Sequence, residues 1–323
     1  MIIREGVMLP SERLDFSAIG QRPKLALPDG ARLAVWVIVN VEEWDPTQPM
    51  PRTVLTPPAG GAPMPDIPNW AWHEYGNRVG FWRMLEVLDH FRIRAVLRDQ
   101  RLGDRALRAD RRAPRSNAGG SSSATASPSR ACRRSPTSAT TSARPQRRSA
   151  SFTGKHPRGW LGPGLTETWE TPDLLVEEGF EYVCDWVLDD QPVVLKTRTK
   201  PIVNLPYTQE CNDVAMMLIQ HHKASEYYDR AIDQFEQLYD DAAQSARIMA
   251  LVVHPYIMGA PHRLKYLSRK CSPASATTSD VLFWTGEEIL DWCLAQSPSS
   301  DPPARAEGRV GAKGRPREKW GAS

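Results

Sequence analysis

The chain has 323 residues, of which 41% are hydrophobic and 24% are charged, and its formal net charge is +3. This length is enough for one large domain or two smaller ones. No apolar run reaches the roughly 18 residues that a membrane span needs, and the first residues carry charges where a signal peptide has its apolar core. We therefore expect a cytoplasmic protein. The five cysteines lack any CxxC spacing, which argues against a disulfide framework and a thiolate zinc site.

The charge is distributed unevenly along the chain. Residues 98–150 contain 13 Arg and three Asp but no Lys or Glu, so their net charge is +10. Residues 297–323 carry +3, which leaves −10 for the rest of the chain. Because residues 98–150 also lack Val, Ile, Met and every aromatic residue, they cannot bury enough apolar area to offset the entropy of ordering them. We expect this insert and the tail 297–323 to lie outside the folded core.

Two interpretations of the insert remain open. An Arg, Ala, Ser and Pro composition with abrupt edges is typical of a GC-rich gene translated out of frame, and residues 271–279 have a similar composition. Alternatively, a basic Arg/Ser-rich arm binds RNA or another polyanion through phosphate contacts. The absence of interleaved aromatic residues argues against base stacking by such an arm.

The first predicted elements are a strand, a helix and a second strand. The apolar, β-branched run from Ala31 to Asn40 predicts a strand that is buried on both faces. Phe81, Met84, Leu85 and Leu88 follow helical spacing, and a second strand is predicted from Phe91 to Leu97. This order is the beginning of a parallel α/β array.

The same alternation resumes after the insert. Thr171-Pro172 predicts a helix start and Gly179 its end. The further predicted elements are a strand from Phe180 to Trp186, a helix marked by Tyr228, Ala231, Phe235 and Leu238, a strand from Ile248 to Val253, a last strand ending at Phe283-Trp284, and a helix opened by a capping box from Thr285 to Glu288. Repeated β/α units in a chain of this length predict a barrel.

Polar side chains follow several of these strands, where parallel barrels carry their catalytic groups. The stretches are Asn40–Trp44, Cys184–Trp186 and His254–Tyr256, together with the Gly/Pro-rich turn Arg158–Gly164. Each stretch also has a structural interpretation. The paired glutamates would be solvated surface, His254-Pro255 a turn, Asp185 a helix cap and Trp160 a core residue.

Together these stretches resemble the polysaccharide-deacetylase (NodB-like) superfamily, in the subgroup of cofactor-free allantoinases and related cyclic-imide hydrolases. The stretches that carry the resemblance are Asn40–Trp44, Glu74–Arg83, Thr153–Gly164, Tyr182–Trp186, Met216–His222, His254–Tyr256 and Phe283–Ile289. The resemblance implies an α/β fold with a distorted (β/α)7-type barrel over residues 1–296. The insert 98–150 would be a disordered or non-native interruption of that barrel.

The resemblance also implies hydrolysis of a carbon–nitrogen bond, by an allantoinase-like enzyme or an N-deacetylase. We expect Glu42 or Glu43 to be the base, because two adjacent carboxylates on an extended chain point to opposite sides and only one faces the water. His254 is the expected acid, since imidazole titrates near neutral pH. The expected substrate-binding residues are Trp44, Tyr75, Arg78, Arg158, Trp160, Asp185 and Trp186.

We expect no metal and no cofactor. Metal-dependent members of the family hold a divalent ion with an Asp pair and two His four residues apart, whereas Glu42-Glu43 replaces the Asp pair here and no His occurs between residues 91 and 155. The expected partner is a small amide, imide or N-acetyl sugar, without nucleic acid or membrane, and the protein is expected to be a homo-oligomer. The alternatives are an inactive, destabilised copy of the family and an RNA- or polyanion-binding protein.

Overall fold

The computed structural model describes residues 8–56, 61, 64–99, 123–124, 157–270 and 280–296. The patch 271–279 and the tail 297–323 lie outside the described residues, as does most of the insert. Four residues of the insert are described, and they belong to strands: Arg98, Asp99, Ser123 and Ala124. The folded sheet therefore includes part of the segment that the composition assigned to the insert.

Strands and helices alternate through the described residues. The strands are β1 (Leu33–Val41), β2 (Ala95–Asp99), β3 (Ser123–Ala124), β4 (Gly159–Trp160), β5 (Tyr182–Val183), β6 (Val193–Leu195), β7 (Ile202–Asn204), β8 (Arg247–Val253) and β9 (Val281–Phe283). The α-helices are α1 (Pro10–Arg13), α2 (Ile67–Tyr75), α3 (Phe81–His90), α4 (Thr171–Glu177), α5 (Ala224–Asp241), α6 (Pro261–Lys270) and α7 (Gly286–Gln296). The described residues also form two π-helical turns, Gly76–Gly80 and Val214–Ile219, and three short 3-10 helices, Ile19–Gln21, Pro28–Gly30 and Pro163–Leu165. Among the described helices, none has both the length and the apolar character needed to cross a bilayer.

The strands form one mostly parallel sheet in the order β6-β7-β5-β4-β3-β2-β1-β8, and β9 also pairs with β1. Only the β6–β7 pair is antiparallel among the described strands. The longest pairing joins β1 to β8, from Leu33 opposite Arg247 to Val39 opposite Val253. This mixed α/β architecture with a parallel sheet agrees with the predicted fold class.

Both faces of β1 and β8 are buried, which explains their continuous apolar sequences. On one face, alternate residues such as Val37 and Leu251 pack against α3, α5 and α6. On the other face, Trp36, Ile38 and Ala250 belong to an inner cluster that also contains side chains of β5 and β7. The last helix, α7, contributes Ile289 and Leu290 to the same inner cluster.

The sheet curls so that the chain after β7 meets β8. Trp36 Nε1 on β1 donates a hydrogen bond to the carbonyl oxygen of Pro206 (3.0 Å), and the Val252 amide donates to the carbonyl of Cys211 (3.0 Å). Asn212 and Val252 form one isolated parallel bridge. A fully hydrogen-bonded, closed barrel stays a prediction, because the described contact between these two edges is limited to this short segment.

The strand predicted from Phe180 to Trp186 is shorter than expected, since β5 spans only Tyr182–Val183. After Cys184, whose amide still donates to the Trp160 carbonyl (3.0 Å), side chains replace the sheet hydrogen bonds. Asp185 accepts hydrogen bonds from Trp160 Nε1 (3.0 Å) and the Gly162 amide (2.7 Å), and the Asn204 side chain bonds the backbone of Trp186. By contrast, the capping box of α7 is confirmed, because Glu288 Oε2 accepts from the Thr285 amide (2.8 Å).

A buried ion pair fastens the N-terminal segment to the sheet domain. Arg13 is 1% exposed, and its guanidinium donates to both carboxylate oxygens of Asp173 at 3.3 and 2.6 Å. It also donates to the carbonyl oxygens of Trp169 (2.6 Å) and Lys196 (3.0 Å). Asp173 additionally accepts from the Arg198 amide (2.7 Å), so both carboxylate oxygens and both terminal guanidinium nitrogens of this buried pair are hydrogen-bonded.

Replacement of Arg13 by Met is expected to lower the free energy of unfolding by about 3–5 kcal/mol, because it removes the bidentate partner of the buried Asp173 carboxylate and leaves only the longer, 4.0 Å contact with Arg198. The measurement is chemical denaturation monitored by circular dichroism. Lys196→Ala is the control, since the Lys196–Asp15 pair is exposed and is expected to contribute less than about 1 kcal/mol. Equal destabilisation by the two variants would contradict the prediction.

Candidate active site

Polar residues continue the inner faces of β1 and β8 where these strands end. Trp36 and Ile38 face the inner cluster from β1, and Asn40 follows them in the same alternation. Ala250 and Val252 do so from β8, and His254 follows them. Because β1 and β8 are parallel neighbours, Asn40 and His254 meet at one edge of the sheet, with Asn40 Nδ2 3.2 Å from His254 Nε2.

His254 is fixed by a buried aspartate that the sequence did not single out. Asp213 is fully buried, and its Oδ1 lies 2.6 Å from His254 Nδ1, while its Oδ2 accepts from the His254 backbone amide at 2.8 Å. This contact assigns the proton of the neutral ring to Nδ1 and leaves Nε2 as an acceptor for Asn40. Asp213 directly precedes the π-helical turn that contains Met216. Its position just before the Met216–His222 stretch is the one sequence feature that could have pointed to it.

Glu42 is the glutamate that lies beside His254. Its Oε1 is 3.9 Å from His254 Nε2, and its Oε2 accepts from Trp44 Nε1 at 2.9 Å. The Glu42 backbone carbonyl accepts from Asn77 Nδ2, also at 2.9 Å. Glu43 forms no hydrogen bond or ion pair with any described residue. The two adjacent glutamates therefore occupy different environments, and only Glu42 belongs to the His254 cluster.

Behind Glu42 lies a group of buried rings. The imidazole of His73 stacks on Trp44 with centroids 4.1 Å apart and an interplanar angle of 17°, and Tyr256 packs against both rings. Burial lowers the pKa of His73 to about 4, so this ring is neutral at neutral pH. Neither of its nitrogens has a hydrogen-bond partner among the described residues. Burial also raises the pKa of Tyr256, which keeps its phenol protonated.

Glycines allow this helical segment to approach the turn that follows His254. A Cβ atom at Gly76 would overlap the backbone of Tyr256, and one at Gly80 would overlap the carbonyl oxygen of Pro255. A Cβ atom at Gly259 would likewise overlap Gly80 and the carbonyl oxygen of Pro255. The backbone contact therefore requires glycine at these positions, and it fixes the distance between the segment carrying Asn77 and the turn after His254.

Three other predicted residues form a second group at the ends of β4 and β5. Asp185 joins Trp160 and the 161–165 loop through the hydrogen bonds described above, and Trp186 Nε1 donates to Glu167 Oε2 (3.0 Å). Burial and repulsion by the neighbouring Asp185 carboxylate raise the pKa of Glu167 to about 9. Glu167 is therefore protonated at neutral pH.

The remaining predicted residues lie apart from both groups or at the surface. Arg158 precedes β4 and pairs with Glu181 (2.7 Å) and Asp291 (2.8 Å), whose hydrogen bonds raise its pKa further. Tyr75 is 38% exposed and accepts a hydrogen bond from Arg83, and Arg78 is exposed on the first π-helical turn. Trp44 and Trp160 are only 3% and 6% exposed, so they do not wall an open pocket.

The described residues do not fit the metal site implied for the family. Within the described ranges, no group of three or more His, Cys, Asp and Glu side chains is arranged to hold a metal ion. Near Glu42, the Nδ1 atom of His254 is taken by Asp213, and the His73 ring is stacked against Trp44. We therefore derive no catalytic step through a metal.

Solved structures of known proteins share this fold. A crystal structure of PuuE allantoinase matches with a TM-score of 0.72 and 24% sequence identity, over 86% of this chain and 96% of that chain. A probable polysaccharide deacetylase from Pseudomonas aeruginosa PAO1 matches with a TM-score of 0.68 and 22% identity, over 87% and 97% of the two chains. A second such protein, from Mycobacterium smegmatis, has a TM-score of 0.69 and 22% identity, over 88% and 98%.

No protein-family profile and no curated protein matches the sequence. The structural matches nevertheless span nearly the whole length of all three proteins. The resemblance predicted from the motifs is therefore confirmed at the level of the fold: this chain has the fold of allantoinase and polysaccharide deacetylase structures.

Gly76→Ala is expected to lower the free energy of unfolding by about 1–3 kcal/mol, because the added methyl group forces the Tyr256 backbone away from the helical segment. Denaturation curves provide the measurement. Gly20→Ala is the matched control, since a Cβ atom at Gly20 meets nothing within 4 Å. The close packing described here would be refuted if Gly76→Ala were as stable as Gly20→Ala.

Glu167→Gln is expected to stabilise the protein increasingly as the pH rises from about 5 to 8. The raised pKa means that folding takes up a proton above the unfolded pKa of 4.5, so the wild-type protein loses stability with rising pH, by at most about 1.4 kcal/mol per pH unit. Glutamine is neutral at every pH and therefore folds without this proton uptake. Unfolding free energies at several pH values provide the test, with Glu170→Gln as the control. Parallel pH dependences for wild type and Glu167→Gln would contradict the prediction.

Proposed function

We propose that this protein hydrolyses a carbon–nitrogen bond other than a peptide bond, with Glu42 as the base and His254 as the acid. The observation that carries the proposal is the pairing of these two side chains at one sheet edge, with Glu42 Oε1 3.9 Å from His254 Nε2. Buried Asp213 holds the opposite nitrogen of the same imidazole. A carboxylate, an imidazole and a supporting carboxylate are the groups that amide hydrolysis requires for proton transfer.

Glu42 is suited to activating water. The distance of 3.9 Å exceeds a direct hydrogen bond, so one water molecule can lie within hydrogen-bonding distance of both Glu42 Oε1 and His254 Nε2. Glu42 accepts a proton from this water as its oxygen attacks the carbonyl carbon of the substrate. Trp44 Nε1 donates to the other carboxylate oxygen, Oε2, so Oε1 is the oxygen on the side of His254.

His254 is suited to protonating the leaving nitrogen. The contact between Asp213 and Nδ1 orients the ring so that Nε2, the atom that carries the transferred proton, lies on the side of Glu42. As the carbon–nitrogen bond breaks, this proton passes to the departing nitrogen, and the carbonyl carbon keeps the hydroxyl group from water. The proton on Glu42 then returns His254 to its imidazolium form, so the cycle balances.

Asn40 can follow the protonation state of His254. Its Nδ2 donates to Nε2 of the neutral ring, and its buried Oδ1 has no partner among the described residues. Reversal of the amide would place Oδ1 where it accepts from Nε2–H of the imidazolium, and Tyr207 could then donate to the same oxygen. The amide therefore offers a hydrogen bond to both forms of the acid.

The proposed substrate is a small amide, a cyclic imide such as allantoin, or an N-acetyl sugar. Support comes from the shared fold with an allantoinase and polysaccharide deacetylases. Tyr75, Arg78 and Trp186 remain the proposed substrate contacts, because each keeps part of its side chain accessible. Asp185 and Trp160 instead hold the 161–165 loop in place.

The purified protein is tested against allantoin, unsubstituted cyclic imides and N-acetylglucosamine oligomers, with products followed by proton NMR. Hydrolysis of one of these classes is expected. A protein that unfolds cooperatively and converts none of them would contradict the proposal and favour an inactive copy of the family.

Glu42→Gln is expected to lower kcat/KM at least about 100-fold, because the amide cannot accept the proton from water. His254→Ala is expected to do the same and to remove the alkaline limb of the pH–rate profile. Glu43→Gln is the matched control, since Glu43 forms no hydrogen bond or ion pair with described residues. If Glu42→Gln retained the wild-type rate, Glu42 would not be the base.

A further inference from the structure

We infer that Trp44 and His73 are positioning residues that aim the Glu42 carboxylate at His254, rather than parts of a substrate-binding wall. The inference concerns the same site and rests on the proposed function, because it assigns these residues a role in orienting the proposed base. It is argued from three successive contacts: His73 with Trp44, Trp44 with Glu42, and Glu42 with His254.

The first argument is the accessibility of the Trp44 indole. Trp44 is 3% exposed, so its ring has almost no surface left for a substrate. Its only polar atom, Nε1, donates to Glu42 Oε2 at 2.9 Å. A donor that binds one carboxylate oxygen fixes the rotation of the carboxylate, and the other oxygen then faces His254.

The second argument is the support of the indole by His73. The His73 ring is fully buried and stacks on Trp44 at 4.1 Å in a nearly parallel arrangement. Tyr256 packs beside both rings, with its ring centroid 5.3 Å from Trp44 and 4.9 Å from His73. The indole is therefore held by contacts with a helix residue and with a residue of the turn after His254, which leaves it little freedom to swing away from Glu42.

The third argument is the chemistry of His73 itself. A neutral imidazole supplies a flat surface for stacking without placing a positive charge beside His254. Burial without a hydrogen-bond partner among the described residues costs stability, and such a cost calls for a compensating role. Stacking on the indole that holds Glu42 provides that role.

The test measures the titration of Glu42 directly, so it does not depend on catalytic activity. Glutamate labelled with carbon-13 at the carboxyl carbon is titrated by NMR, and the Glu42 signal is assigned from its absence in Glu42→Gln. Trp44→Phe retains the ring but removes the N–H donor, so it is expected to raise the pKa of Glu42 by about one unit. An unchanged pKa in Trp44→Phe would overturn the inference.

Trp292→Phe is the matched control. Trp292 on α7 is also buried, at 8% exposure, and its Nε1 also donates a hydrogen bond. Its acceptor is the carbonyl oxygen of Ala26, which does not belong to the Glu42 cluster. The same chemical change there is expected to leave the Glu42 titration unchanged. A comparable shift in both variants would show a general loss of packing and would overturn the inference.

A measurement on the wild-type protein guards against a variant that fails to fold. The indole N–H signal of Trp44 is expected to shift with pH along the titration curve of Glu42, and this shift is expected to disappear in Glu42→Gln. A wild-type spectrum in which no indole signal follows Glu42 would overturn the inference without any Trp44 variant.

His73 is tested by a pair of substitutions. His73→Phe retains an aromatic ring for stacking and is expected to keep the pKa of Glu42 near its wild-type value, whereas His73→Ala frees the indole and is expected to raise it. Where hydrolysis is measurable, His73→Ala lowers kcat and leaves KM nearly unchanged, and His73→Phe restores kcat. An unchanged pKa in His73→Ala would overturn the role of His73.

Failure of this inference and failure of the proposed function are distinguishable. Hydrolysis that depends on Glu42, without coupling between Glu42 and Trp44, would contradict only the positioning role. Coupling without hydrolysis of any substrate would contradict the proposed function and leave the contact between the indole and the carboxylate established.

Discussion

The arrangement of the candidate site depends on one backbone contact. The helical segment around Gly76 and Gly80 lies directly against the turn Pro255–Gly259, closer than any side chain would permit. One partner of this contact carries His73 and Asn77, which reach Trp44 and the Glu42 backbone. The other partner follows His254. The absence of three Cβ atoms therefore brings together side chains that are distant in the sequence.

The surroundings of the carboxyl groups decide which chemistry each can perform. Glu42 has an indole N–H on one oxygen and a histidine near the other. Glu167 is half-buried beside the Asp185 carboxylate, and there the neutral form is favoured. The proposed base and the neutral glutamate therefore differ in the groups around them, not in residue type.

Much of the fold follows from local sequence patterns, whereas the site follows only in part. The apolar run of β1 and the capping box of α7 predicted their elements because burial on both faces and cap geometry leave clear signatures. Glu42 and His254 were selected because they follow strands. Asp213 and His73 were missed because their roles arise from tertiary contacts: one follows a loop and the other lies inside a helix.

The predicted substrate-binding residues also show what a sequence motif cannot reveal. Trp44 and Trp160 were expected to contact a substrate because they are aromatic residues beside polar motifs. Their burial could not be read from the sequence, since it depends on helices and loops that come from distant parts of the chain. A motif therefore indicates which residues gather at a site, but packing determines which of them remain accessible.

The π-helical turn Gly76–Gly80 determines which face of α3 is turned towards the sheet. Such a turn contains one residue more than an α-helical turn, and it links α2 to α3 without a break. Removing a single residue from it would restore α-helical winding and rotate α3 by about 100° relative to α2. The apolar face of α3 could then no longer pack on the sheet while the glycines stay in contact with Pro255. The segment therefore tolerates neither the loss nor the gain of a single residue.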